Sequence, residues 1–177
     1  ASCTIVVQFA PTGTGASNDT IDINYVNGVS GQTSSRQVTG TGIAPALLGI
    51  SDGPTYNYGL IANGGTANHT FIVTNSGGST ATAISETGLA APFVFLGGGY
   101  PGTGGTCGAT IAAGASCSIV IQYAPVAVAV HSDTINLDYN NGAAATAATR
   151  DVQGSAGAPA LLGISDGPTY NYGLIAN

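Results

Sequence analysis

Apolar and polar residues alternate along much of this chain. In Cys117-Ser118-Ile119-Val120-Ile121-Gln122-Tyr123 one alternate set is Cys, Ile, Ile and Tyr, and Ile135-Asn136-Leu137-Asp138-Tyr139 alternates without a break. A period of two puts successive side chains on opposite faces of an extended backbone, so each segment reads as a strand with one face in a core. Similar patterns predict strands over 46–51, 55–61, 69–74, 80–85, 93–96 and 146–154. Between them lie turn signals: Asp52-Gly53-Pro54, Asn63-Gly64-Gly65, Ser76-Gly77-Gly78 and Asn141-Gly142. The last is a hairpin cue, because a type I′ turn needs positive φ at both central residues. Short strands at this spacing, with no sustained helical period, predict an all-β fold of antiparallel β-sandwich domains.

The same pattern occurs twice. Residues 44–63 recur letter for letter as 158–177, and Ala1-Ser2-Cys3 recurs as Ala115-Ser116-Cys117, both at an offset of 114 residues. One offset without gaps indicates a whole domain copied in tandem. The expected organisation is the C-terminal part of one repeat over 1–43, a complete repeat over 44–157, and the N-terminal strands of the next over 158–177, a window on a longer array. The copies also identify buried faces. Ile119, Ile121 and Tyr123 correspond to Ile5, Val7 and Phe9, and Ile135, Leu137 and Tyr139 to Ile21, Ile23 and Tyr25, apolar for apolar, while Asn136 and Asp138 exchange with Asp22 and Asn24. A strand is therefore expected over 3–9 as well.

Composition narrows the function. Only 6% of residues are charged and the sole cations besides histidine are Arg36 and Arg150, against eight acids, for a net charge of −6. Nucleic acid is excluded as a partner, because phosphate binding requires clustered cations, and anionic membrane surfaces are disfavoured on the same ground. No apolar run reaches transmembrane length.

Tyr58-Gly59, the run Phe71-Ile72-Val73-Thr74-Asn75-Ser76-Gly77-Gly78 and the run Cys117 to Ala124-Pro125 resemble the ASH (abnormal-spindle and hydin) type of immunoglobulin-like domain. The likeness is strongest to the bacterial versions in choice-of-anchor D type surface proteins. It implies a seven- or eight-stranded sandwich that serves as a spacer or binding module in long secreted chains.

Cys107 and Cys117 flank a short Gly/Ala/Thr loop and are expected to form a disulfide in an oxidising compartment, the alternative being two buried thiols. Cys3 is the counterpart of Cys117, and the residue that would pair with it lies ten positions earlier, before the sequence begins. No metal-ligand spacing, nucleophile elbow, phosphate loop or paired-carboxylate pattern is present, so neither cofactor nor metal nor catalysis is expected. His69 and His131 read as surface or edge residues. Asp52 reads as a turn carboxylate capping its own backbone, and Arg150 with Asp133 as a cross-strand pair.

The copies diverge most at 126–132 and 143–149, where the central copy has turned apolar. Val126, Val128, Val130, Ala143 and Ala145 are the candidate interface residues, facing a neighbouring repeat or an identical chain in a fibre; the alternative is that they complete the domain's own core. The function expected is a structural repeat of an extracellular fibre or a surface stalk or adhesin, without catalysis. The second reading is a glycan- or protein-binding module of a secreted adhesin, with Tyr56, Tyr58 and Tyr100 offering stacking surface for sugar on a host.

Overall fold

The computed structural model describes residues 2–176; Ala1 and Asn177, the outer ends of the two partial repeats, lie outside the described residues. The strands are β1 (Gly15–Val26), β2 (Gly31–Gly42), β3 (Leu48–Ile50), β4 (Thr55–Ala62), β5 (Ala67–Asn75), β6 (Thr82–Glu86), β7 (Phe93–Phe95), β8 (Ser116–Tyr123), β9 (Val130–Asn140) and β10 (Ala145–Gly157). Among the described residues there is no helix. β1 and β2 form a separate hairpin, while β4-β10-β9-β6 and β3-β5-β8-β7 form two four-stranded sheets.

The two sheets enclose one core. Phe71, Val73, Phe93, Ile119, Ile121 and Tyr123 come from one sheet and Ile135, Leu137 and Val152 from the other, all fully buried. These are the alternate positions of their strands, so the apolar period translates directly into burial. Each such side chain contributes about 1.5 to 3 kcal/mol by leaving water.

Three expectations are corrected. The sandwich is not wholly antiparallel, because β4 pairs with β10 in parallel. β3 pairs antiparallel with β5 in one sheet, and after the Asp52-Gly53-Pro54 turn the chain resumes as β4 on the edge of the other. Residues 3–9 carry no strand, and neither do residues 158–176. Both stretches lack what their central counterparts pair with, since β8 lies between β5 and β7 while β3 and β4 lie on β5 and β10. A strand without a partner leaves its backbone donors and acceptors to water and gains no ladder.

The hairpin repeats the central geometry. Ile21 faces Arg36 and Asn24 faces Thr33 in β1–β2, as Ile135 faces Arg150 and Asp138 faces Ala147 in β9–β10. The register is the same throughout after a shift of 114 residues.

Among the described residues Asn75 is the one fully buried amide or charged side chain in this core. Its Oδ1 accepts from the backbone N–H of Leu47 and of Gly77, each at 3.0 Å. Its Nδ2 donates to the carbonyls of Ser79, Ile111 and Ala112 at 2.8 to 3.2 Å. One amide thus ties the end of β5 to the entry strand and to the loop before β8.

Candidate functional site at the poles of the central unit

Val126, Val128, Val130, Ala143 and Ala145 are all exposed, Val126 at 86%. The alternative in which they fill their own domain's core is excluded by that exposure. They do not form one patch. Residues 126–129 precede β9 and Val130 opens it, whereas Ala143 lies in the β9–β10 turn and Ala145 opens β10, so the two groups sit at opposite ends of an 11-residue strand.

Those ends are where the chain enters and leaves the unit. At the entry pole Ala46 donates its N–H to the Asn141 carbonyl at 2.9 Å, and Ser79 Oγ donates to the Ala44 carbonyl at 2.8 Å. At the exit pole Asn63 N–H donates to Gly157, Gly64 N–H to Pro125, and Ala156 N–H to Ala129, at 2.7 to 2.9 Å. These bonds hold each divergent segment beside a point where the chain enters or leaves the central sandwich.

The entry pole shows what such a segment meets. A cleft of about 560 Å³ lies between Pro11, Gly13 and Ile43 on one side and Pro45, Gly142 and Ala143 on the other. Pro11 and Gly13 are the counterparts of Pro125 and Ala127. The exit-pole segment of the first copy therefore faces the entry-pole turn of the central copy.

A polar cluster sits at the Asp52 turn. Ser51 Oγ donates to Asp52 Oδ2 at 2.6 Å, and His69 Nε2 lies 3.0 Å from the same oxygen. The hydrogen bonds from Ser51 and then from His69 hold the Asp52 carboxyl below its ordinary value. Asp52 therefore ties the β3–β4 turn to β5 through His69 and does not cap its own backbone. The serine hydroxyl and the imidazole both address the carboxylate, so the imidazole does not stand between the other two. Arg150 donates to the carbonyls of Pro54 and Ile50, and Asp133 accepts from the N–H groups of Ala90 and Thr134. The expected Arg150–Asp133 pair is not formed, because the guanidinium is taken up by the β3–β4 turn. A Cβ at Gly53 would strike that guanidinium.

The tyrosines are occupied by packing. Tyr56 has His69 stacked on one face at 3.7 Å and meets Tyr58 and Phe71 edge-on. Tyr58 donates its hydroxyl to the Ile121 carbonyl at 3.1 Å, and burial pushes its phenol far above the ordinary range. Tyr100 is half-buried against Phe95, with its hydroxyl on Gly108. Among the described residues no three His, Cys, Asp or Glu side chains gather as a metal site.

The Cys107–Cys117 disulfide is formed, and Cys3 is free and exposed. It staples the loop after β7 onto β8, where Thr106 N–H also donates to the Ser118 carbonyl at 2.9 Å. Replacing both cysteines by serine should lower the unfolding free energy by about 2.5 kcal/mol, the chain-entropy value for so short a loop, as read by chemical denaturation.

No protein-family model matches the chain, and no curated protein matches it. Solved structures similar to it include the VesB protease of Vibrio cholerae, at 20% identity over 63% of this chain and 32% of VesB, with a TM-score of 0.49. Others are PapD-like domain 7 of human CEP192, an ASH / PapD-like domain (11% identity, 64% of this chain, 87% of that domain, TM-score 0.48), and the secreted serine protease VesC of Vibrio cholerae (15%, 55%, 21%, 0.37). This chain thus spans about a third of the length of VesB. These likenesses concern the fold alone. An ASH / PapD-like domain is among them. The expectation of a chain without catalysis is corrected by VesB and VesC: structures similar to this one include named proteases, and that expectation is withdrawn. Among the described residues no helix is long and apolar enough to cross a membrane, and the disulfide is compatible with an exported protein.

Proposed function

We propose that the chain is a structural repeat of a bacterial extracellular fibre or surface stalk, built from tandem immunoglobulin-like units of about 114 residues akin to those of choice-of-anchor D proteins. The observation that carries this reading is the cleft at the entry pole. There the most divergent segments of two consecutive copies, represented by Gly13 and Thr14 and by Ala143, come face to face. A contact of this kind sets the angle between successive units, and repeating one angle gives a regular rod.

Electron microscopy of an array of several units should show straight rods of constant axial repeat. Val128→Asp together with Ala143→Asp should convert them to bent chains while each unit keeps its melting temperature. Bent chains from the unsubstituted array would overturn the reading.

A further inference from the structure

The chain enters the central unit at one pole and leaves it at the other, so tension along a row of units pulls Ala46 and Gly157 apart along the strand axis. What resists that pull is whatever joins the strands between those two points. From the entry pole the load passes through β3, three residues long and laddered on β5, to the turn at Asp52. It then reaches β4, an edge strand that pairs with β10 and with no other strand.

β10 is also the strand that leaves at the exit pole, so the first long strand of the unit and its last are bonded to each other. They run in parallel, from Thr55 opposite Asp151 to Ala62 opposite Gly157. Parallel strands pulled from opposite ends slide past each other, and the evenly spaced bonds of their ladder are loaded together instead of opening in turn. The head of β4 is fastened on both sides. Arg150 of β10 donates to the carbonyls of Ile50 and Pro54, which end β3 and precede β4. Ser51 and Asp52 reach β5 through the Ile72 backbone and His69.

We propose that the parallel β4–β10 pair is a mechanical clamp, by which each unit withstands tension along the chain, with Arg150 as the latch that passes load from the turn to β10. Forced unfolding follows the unfolding barrier and not the equilibrium free energy, so strength is set by the bonds in the load path. The Cys107–Cys117 disulfide, which ties a loop to β8, lies outside that path. The clamp rests on the repeat-unit reading above, which puts the unit under end-to-end load, and adds what the unit does under it.

Single-molecule pulling of the whole chain tests it. Held by its two ends, the central unit should yield in one step of high force. Held by its N-terminal end and a handle at the exposed Ala143, the same folded protein should open at a clearly lower force. Both points then lie at the entry pole, and β4 is drawn off β10 bond by bond. Arg150→Gln should lower the end-to-end force. Cys107→Ser with Cys117→Ser should leave that force unchanged despite the loss of unfolding free energy. Freeing the span of 10 residues should lengthen the unfolding step by about 30 Å. Equal forces in the two directions overturn the proposal, and so does an end-to-end force that falls with the disulfide but not with Arg150. The directional comparison uses unaltered strands, so it decides the matter even where Arg150→Gln does not fold. Straight rods whose units yield without a force step remove the clamp and leave the spacer reading standing; bent chains of units that hold in the end-to-end direction alone do the reverse.

Discussion

Asn75→Ala should lower the unfolding free energy of the central unit by about 3 to 5 kcal/mol, the largest loss expected from any single polar side chain in the molecule. Five hydrogen bonds end on this amide, and no part of it reaches water. Truncation strands the Leu47 and Gly77 N–H groups and the carbonyls of Ser79, Ile111 and Ala112. A buried group left unpaired costs about 1 to 3 kcal/mol, and rehydration at the edge of the pole recovers part of the total. Asn75→Asp is expected to restore little. It keeps the two accepted bonds but sets a carboxylate against three carbonyl oxygens where the amide donated. Asn68→Ala on the same strand is the control, with an expected change under about 0.5 kcal/mol, since its bond to Gln122 is exposed. Urea denaturation of the three variants, with near-ultraviolet circular dichroism as probe, reads the differences. Similar midpoints for Asn75→Ala and Asn68→Ala would show that the amide is not the tie between β5 and the entry pole.

The strands of the central unit were legible because one face of each meets a core. Ile135, Leu137 and Tyr139 are buried as their spacing requires, and Asn136 and Asp138 are not. Residues 158–176 show the limit of such reading. Their letters are those of 44–62, yet they make no strand, because strand formation there depends on β5 and β10 and not on local preference. No inspection of the segment itself distinguishes its two occurrences. The parallel pairing of β4 was hidden for a related reason: the Asp52-Gly53-Pro54 signal marks a turn, but not that the chain crosses to the other sheet there. The divergence of the two copies located Val126, Val128 and Ala143, all of which are exposed. Their separation to opposite poles follows only from the length of β9. Arg150 takes the carbonyls of Ile50 and Pro54, 100 and 96 positions away, and Asp52 takes His69 besides its neighbour Ser51, contacts that no local pattern in the sequence marks.

The repeat also sets up a paired experiment on close packing. Gly154 and Gly40 are counterparts, and each lies under an aromatic ring, Tyr123 in the central unit and Phe9 in the first copy. A Cβ at Gly154 would fall 2.7 to 3.1 Å from the Tyr123 ring atoms, and one at Gly40 would fall 2.8 Å from those of Phe9. The local collision is the same, so the outcome depends on whether the ring can yield. Tyr123 cannot: it is fully buried, stacked on Phe93 at 4.8 Å, with its hydroxyl 2.8 Å from His131 Nδ1. Phe9 is half exposed and can swing into solvent. Gly154→Val should therefore cost about 3 kcal/mol or more, the upper end for overpacking a filled core, whereas Gly40→Val should leave the melting of the central unit unchanged. Calorimetry on the two variants separates space from backbone conformation as the reason for glycine, because neither position has a positive φ. If Gly154→Val melts with the wild type, Tyr123 has room to move and the aromatic stack is not the rigid centre of the fold. If Gly40→Val also destabilises the central unit, the hairpin and that unit are coupled across the entry pole more tightly than their separate sheets imply.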